Sequence, residues 1–130
     1  EKGRIVILAG GMGVPNFTTD TAAVNRAIEL EADLLLKGTH GGADGIYTAD
    51  PRTDSSARKL NTVTYDSIVR RRLGVMDGTA FTLARDATHK LSLVVCDIKQ
   101  PNNLEQIISG HPVGTLVSHE GRTQLATTEE

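Results

Sequence analysis

A glycine-rich loop is the first group of residues whose types and spacing could do chemistry. Gly10-Gly-Met-Gly13 follows an apolar run, and Thr18-Thr-Asp20 then opens a helical pattern. Glycine lets the backbone approach a ligand closely, and the free amide groups at a helix N-terminus favour anions such as phosphate. The loop therefore predicts a phosphate or nucleotide site. A plain strand-to-helix turn is the alternative, because the spacing matches neither G-x-x-x-x-G-K-[ST] nor G-x-G-x-x-G.

A second candidate is the segment Asp44-Gly-Ile-Tyr-Thr-Ala-Asp50-Pro51, which follows the apolar residues before Lys37. Tyr47 offers a flat face that could pack on a nucleobase, and Asp50 could accept hydrogen bonds from a ribose or a base. Lys37 could reach a phosphate as a point charge. The alternative is a turn-rich loop with Tyr47 packed into the core.

The sequence indicates structural roles for the remaining reactive residues. The histidines lack metal-ligand spacing, so no metal site is predicted. Cys96 ends an apolar run and is expected to be buried. Arg70-Arg-Arg72 is expected on the solvated face of a helix. Asp77, taken by itself, is typical of a helix N-cap.

The order of apolar patterns indicates the elements that must position these residues. Runs of apolar residues predict strands at 4–9, 33–37, 91–96 and 114–118, the last one near a sheet edge. Helical periodicity predicts helices at 21–30, after Thr64 to 73, at 77–87 and at 101–108. This alternation predicts an α/β fold, a three-layer αβα sandwich with a mainly parallel sheet. The folded part is expected to span residues 1–118, and the polar residues 119–130 to form a flexible tail.

Composition excludes several classes of protein. The 130 residues carry 14 Lys and Arg against 16 Asp and Glu, a net charge of −2, which gives no general attraction to nucleic acid or anionic membranes. No apolar run approaches the roughly 18–20 residues that cross a bilayer. The single cysteine excludes a disulfide framework and fits a reducing compartment. We expect a cytoplasmic protein without nucleic-acid or membrane partners.

Several separate motifs, in order, resemble those of bacterial UMP kinases in the amino-acid kinase superfamily. The resemblance covers about Arg4 to Ser118. The matching motifs are Gly10-Gly-Met-Gly-Val-Pro-Asn-Phe-Thr-Thr-Asp-Thr-Ala23, Leu36-Lys-Gly-Thr39, Asp44-Gly-Ile-Tyr-Thr-Ala-Asp-Pro51, Leu73-Gly-Val-Met-Asp77, Thr79-Ala-Phe-Thr-Leu-Ala-Arg85 and Gly114-Thr-Leu-Val117. Several motifs in the family's order are more specific than any one of them.

The resemblance implies transfer of the γ-phosphoryl group of ATP to UMP with Mg²⁺. It assigns ATP binding to Thr39, Tyr47 and Asp50, and it places the acids Asp20 and Asp77 near the reacting phosphates, where they would orient a catalytic lysine. The family also implies a hexamer with GTP and UTP as possible effectors. The residues implied for UMP are Met12, Gly13, Val14, Pro15, Asn16, Phe17, Thr18 and Thr19.

The chain departs from the family pattern in three ways. It resembles the C-terminal, ATP-side half alone; the half with the lysine-containing phosphate loop is absent, so this chain by itself is expected to be inactive. Met12, Val14 and Asn16 stand where the family usually has Thr, Asn and Phe. The stretch between Thr39 and Asp44 is about two residues longer than usual, which could shift Thr39 relative to adenine.

Two other functions stay open. A superfamily member could phosphorylate a carboxylate or carbamate instead of UMP; the ending Thr18-Thr-Asp-Thr-Ala favours uridylate. A relative could also bind nucleotide and oxyanions for storage without catalysis. The absence of a suitable histidine cluster argues against that function.

Overall fold

A computed structural model describes residues 3–39 and 43–126 of the chain. Strands and helices alternate through most of this part. The strands are β1 (Leu34–Thr39), β2 (Leu60–Thr64), β3 (Ser92–Asp97), β4 (Thr115–Ser118) and β5 (Gln124–Leu125). The helices are α1 (Thr19–Glu29), α2 (Tyr65–Arg71), α3 (Gly78–Asp86) and α4 (Asn103–Ile108).

The five strands form one mixed sheet in the order β1-β3-β4-β2-β5. β1 is parallel to β3 and β2 to β4, whereas β3 with β4 and β2 with β5 are antiparallel. The α/β fold is confirmed. The sheet is mixed, with two antiparallel pairings beside the parallel ones, because a pattern of alternating elements does not fix the direction in which each strand enters the sheet.

Helices cover both faces of the sheet and give the three expected layers. Leu93 and Val95 of β3 belong to the main core under α1, α2 and α3. Val94 and Cys96 point the other way and meet Ile107 of α4. Successive residues of a strand face opposite sides, so a strand covered on both faces is apolar throughout. The expected burial of Cys96 is confirmed.

β2 is a strand that the sequence analysis did not predict. It occupies the residues directly before α2, where only a helix start was expected. The helix does begin after Thr64, whose side chain accepts a hydrogen bond from the Ser67 amide at 3.2 Å and caps the helix. β2 was missed because only Leu60 and Val63 are fully buried, and two apolar residues give no recognisable period.

The apolar run at residues 4–9 is not a strand, and this prediction is wrong. Ile5 is 96% exposed and Ile7 is 89% exposed. A strand needs partners for its backbone N–H and C=O groups. Among the described residues, no strand pairs with the edge of β1 that faces away from β3. The segment is apolar enough for a buried strand, but the described part of the chain contains no strand that pairs with it.

The C-terminal segment also differs from the expectation. β4 was expected near an edge, yet it lies between β3 and β2 in the interior of the sheet. β5 lies in the segment expected to be a flexible tail and pairs antiparallel with β2. Residues 127–130 of that segment lie outside the described residues.

Candidate functional site

The glycine loop is open to solvent and leads directly into α1. Gly10, Gly11 and Gly13 have φ values of 89°, 62° and 69°, which residues with a Cβ atom rarely adopt. A Cβ atom at these glycines would meet nothing within 4 Å in the described structure. The residues expected to hold UMP, Met12 to Thr19, form the rest of this exposed or half-exposed stretch. The loop is therefore accessible to a ligand.

Thr18 and Asp77 join the N-termini of α1 and α3. Thr18 caps α1, since its hydroxyl oxygen accepts the amides of Asp20 at 3.2 Å and Thr21 at 3.3 Å. The same hydroxyl donates to Oδ2 of Asp77. Asp77 in turn caps α3 by accepting the Ala80 amide at 2.9 Å. One carboxylate thus fixes the starts of two helices, and the prediction that Asp77 is an N-cap is confirmed.

Thr21 completes this junction from inside the fold. It is 2% exposed, and its hydroxyl donates to the Asp77 carboxylate at 3.2 Å. Burial by itself raises the pKa of Asp77, but the hydrogen bonds from Thr18, Ala80 and Thr21 favour the ionised form and hold the pKa below its ordinary value. Asp77 is therefore a carboxylate near neutral pH.

A lysine and a second acid meet beside this junction. Lys37 lies near the end of β1, and its Nζ donates to Oδ1 of Asp20 in the first turn of α1. Both side chains keep some solvent exposure, 28% for Lys37 and 20% for Asp20. The pair holds a cation at the capped N-terminus of α1. This brings together two residues that the sequence analysis singled out in different motifs.

The second motif lines a different cleft, of about 570 Å³, beyond the ends of β1 and β3. The Tyr47 hydroxyl donates to Oδ1 of Asp44 at 2.6 Å, and Lys59 donates to Oδ2 of Asp44 at 2.7 Å. The hydrogen bond to Asp44 and partial burial raise the pKa of Tyr47 to about 12. Burial opposes ionisation of Asp44, yet Lys59 and Tyr47 hold its pKa below the ordinary value. Tyr47 is half-buried, so its ring borders the cleft without filling the core.

Of the three residues expected to hold ATP, only Tyr47 lines this cleft. The Thr39 hydroxyl donates to the backbone oxygens of Ala43 and Cys96, the latter at 3.1 Å. Asp50 lies in an exposed turn, where Arg52 pairs with it at 2.9 Å and lowers its pKa. Residues 40–42 of the long stretch after Thr39, including His40, lie outside the described residues.

The cleft also contains residues that the sequence analysis missed. They are Lys59, Asp97, Gln100, Asn103 and the backbone of Gly114, among others. Asp97 could have been found, because it directly follows a buried strand run, and ligands in α/β sheets bind beyond the carboxyl ends of strands. Lys59 had no such signal, since it follows a turn and belongs to no periodic segment.

The described acids do not form a dedicated metal cage. In residues 3–39 and 43–126 no group of three or more His, Cys, Asp or Glu side chains could hold a metal ion. Mg²⁺ in nucleotide sites is bound by one or two carboxylates together with phosphate oxygens and water. The half-exposed carboxylates Asp20 and Asp77 fit that arrangement. In the same part of the chain, no helix has the length and apolar character needed to cross a membrane.

Comparisons with known proteins identify the family of this chain. The family model described as "Amino acid kinase family" matches residues 1–96. Uridylate kinases of Parabacteroides distasonis and Bacteroides thetaiotaomicron are each 49% identical over 117 residues, covering 90% of this chain and 48% of theirs. The chain therefore spans about half the length of the curated relatives it matches.

Solved structures give the same result for the fold. The crystal structure of UMP kinase from Bacillus anthracis matches with a TM-score of 0.83 at 36% identity, over 90% of this chain and 46% of that one. UMP kinase from Ureaplasma parvum matches with a TM-score of 0.72 at 34% identity, over 83% and 45% of the two chains. With the sequence match and the fold in agreement, this chain belongs to the amino acid kinase family.

Proposed function

We propose that this chain is part of a UMP kinase, which transfers the γ-phosphoryl group of ATP to UMP and produces UDP and ADP. The observation that carries the proposal is the N-terminus of α1, where the capped helix start adjoins the Lys37–Asp20 pair and where Gly10 and Gly11 line the same cavity as Thr19. The names of the 49% identical relatives support UMP as the acceptor.

Phosphoryl transfer requires that the protein position the substrates and supply positive charge, and it requires little covalent chemistry from the protein. Lys37 supplies a cation on β1 that would bind a phosphate oxygen. Asp20 holds the lysine side chain at the end of α1, which limits its conformations before the substrate arrives. The N–H groups of the glycine loop and the first turn of α1 would add partial positive charge on the same side.

On the acceptor side we assign UMP to residues 12–19, as the resemblance implies. Thr18 is the last residue but one of this segment, and its hydroxyl donates a hydrogen bond to Asp77. Asp77 would thereby fix the loop relative to α3, so it serves as a positioning residue for UMP. Its carboxylate is ionised at neutral pH, which suits an acid near a cation or a metal-bound phosphate.

On the donor side we assign ATP to the region of Thr39, Tyr47 and Asp50. Mg²⁺ would arrive on the phosphates of ATP, where it would neutralise their charge, with Asp20 and Asp77 as the acids near it. A hexameric assembly, effects of GTP and UTP, and a cytoplasmic location are further proposals that follow from the resemblance.

The test measures ADP release from ATP by the intact protein that contains this chain. UMP, CMP, N-acetylglutamate and aspartate are offered as acceptors in parallel. We expect turnover with UMP at least about 100-fold above the others, and no turnover by residues 1–130 alone. Turnover with an amino-acid acceptor and none with UMP would refute the acceptor assignment. Activity of residues 1–130 near that of the intact protein would refute the need for further cationic groups.

A further inference from the structure

Asp97 lines the cleft, and within the described residues one oxygen of its carboxylate accepts no hydrogen bond. We propose that Asp97 binds the nucleoside part of ATP by accepting a hydrogen bond from a ribose hydroxyl or from the exocyclic amino group of adenine. Asp97 would then determine which nucleoside triphosphate the protein accepts. This inference rests on the function proposed above, in that it takes ATP as the ligand of the cleft.

The register of the sheet puts Asp97 where such a ligand would lie. Thr39, the last residue of β1, is aligned with Asp97, the last residue of β3, in the parallel pair. Ligands of α/β proteins bind beyond the carboxyl ends of the strands. The cleft at this edge has a volume of about 570 Å³, which is within the range of roughly 300–1,000 Å³ typical of small-molecule sites.

The hydrogen bonds of Asp97 leave one carboxylate oxygen for a ligand. Oδ1 accepts the Lys99 amide at 2.9 Å, and the backbone oxygen of Asp97 accepts from the Asn103 side chain at 2.9 Å. Within the described residues Oδ2 has no donor, and Asp97 as a whole is only 7% exposed. Oδ2 is not one of the fully buried atoms that lack a hydrogen-bond partner, so it keeps contact with solvent, and a donor group of a ligand would take the place of that water.

The other charged groups of the cleft, Asp44 and Lys59, are already paired with each other. Asp44 accepts both the Lys59 ammonium and the Tyr47 hydroxyl, so its negative charge is neutralised. Among the described residues that line the cleft, Asp97 is therefore the acid whose negative charge has no ion-pair partner. Such a charge attracts a neutral donor group and repels phosphates. The cleft fits the nucleoside, and the phosphates would extend towards Lys37.

The substitution Asp97→Asn tests this assignment with little change in shape. The amide oxygen can keep the hydrogen bond from Lys99, which turns the NH₂ group towards the cleft and replaces an acceptor with a donor. We expect Kd for ATP, measured by calorimetry on the intact protein, to rise by about tenfold or more. KM for ATP should rise by the same factor, while KM for UMP stays within about twofold.

Glu105→Gln is the matched control. Glu105 lies on α4, is exposed and does not line the cleft. This variant removes the same unit of charge close to the site, so a general electrostatic effect would appear in both variants. We expect Kd for ATP to be unchanged in Glu105→Gln within about twofold, as for other exposed surface substitutions.

Nucleotide analogues identify the donor group on the ligand. Their titration into the wild-type protein does not depend on whether a variant folds. The wild-type protein is titrated with 2′-deoxy-ATP, 3′-deoxy-ATP and ITP, which each lack one of the possible donors. We expect one of the three to bind about tenfold more weakly than ATP, and the Asp97→Asn variant to lose that preference. The analogue that loses affinity shows whether a hydroxyl or the amino group is bound.

The proposal is overturned if all three analogues bind the wild type as tightly as ATP does. It is also overturned if Asp97→Asn, folded by its thermal transition, changes Kd for ATP by less than about twofold. These titrations do not depend on turnover. If the intact protein binds ATP through Asp97 yet does not phosphorylate UMP, the proposed function fails and the present inference stands.

Discussion

Replacing Asp77 tests whether one carboxylate holds two helices and the loop proposed to bind UMP in place. In the wild type it accepts the Ala80 amide at the start of α3 and the hydroxyls of Thr18 and Thr21 at the start of α1. Asp77→Ala removes all of these acceptors. Asp77→Asn keeps an oxygen for the Ala80 amide but loses the charge and one acceptor oxygen.

The expected cost follows from these contacts. Loss of an N-cap costs about 1 kcal/mol. Thr21 is 2% exposed, so its hydroxyl would be left without a partner and out of water, which costs about 1–3 kcal/mol. We therefore expect Asp77→Ala to lower the free energy of unfolding by about 2–4 kcal/mol, and Asp77→Asn by about 1 kcal/mol because the cap survives. In the intact protein, Asp77→Asn should also lower kcat by at least about tenfold.

Urea denaturation of the intact protein measures the first effect, and steady-state ADP release measures the second. Asp66→Ala is the control, since Asp66 is an exposed acid in the first turn of α2 whose pairing with Arg85 is long, at 3.9 Å. We expect that variant to change stability by less than about 0.5 kcal/mol. A loss below about 1 kcal/mol in Asp77→Ala, or an unchanged kcat in Asp77→Asn, would refute the role given to Asp77.

The pH dependence of stability has a defined sign at the same residue. The pKa of Asp77 is lowered in the folded protein, because its hydrogen bonds to Thr18, Ala80 and Thr21 outweigh burial. Its contribution is therefore complete above the unfolded-state pKa of about 4 and is lost as the pH falls through the lower folded-state pKa. The Asp77→Asn variant should lack this part of the acid-induced loss. An identical acid profile for wild type and variant would contradict the assignment.

Three further predictions follow from other contacts. Lys37→Met should lower kcat about 100-fold or more by removing the cation that we propose binds a phosphate oxygen. Steady-state rates that fall less than tenfold would exclude that role. Gly114→Ala should lower the free energy of unfolding by about 3 kcal/mol or more, because φ at Gly114 is 75° and a Cβ atom would lie 2.1 Å from the Val95 carbonyl oxygen. Gly110→Ala is the control, since φ is 81° there but a Cβ atom would meet nothing within 4 Å. It should cost only about 1 kcal/mol in the same urea experiment. Thr115→Val should lower the free energy of unfolding by about 1–3 kcal/mol, because the buried hydroxyl accepts a hydrogen bond from the Ile46 amide at 2.8 Å and donates one to the Leu60 carbonyl at 2.5 Å. A thermal midpoint unchanged from wild type would contradict a stabilising role for these two hydrogen bonds.

The sequence predicted the elements that carry a strong local signal. α1 was expected at its observed place because small apolar residues recur at helical spacing behind a Thr cap. β3 was expected because its apolar run is buried on both faces. Asp77 was expected as a cap from its type and position alone. These features depend on neighbours within a few residues, so the local sequence contains the necessary information.

The errors fall where a distant partner decides the outcome. Residues 4–9 have the composition of a buried strand, yet in the described structure they find no strand beside them. β4 was expected near an edge, but its place in the interior depends on β2, which has a weak pattern of its own. Asp97 follows a buried strand run, which is a sequence signal, but its alignment with Thr39 at the end of β1 is visible only in the folded chain.

For this chain, the amino-acid sequence alone determined the family resemblance, the helix caps and most of the apolar segments, since each of these is set by residue types at short spacing. Only the tertiary structure decided which strands are neighbours, in which direction they run, that Lys37 meets Asp20, and that Asp97 lines a cleft. Those relations join residues far apart in the chain, and they are fixed by the packing of the whole sheet against its helices.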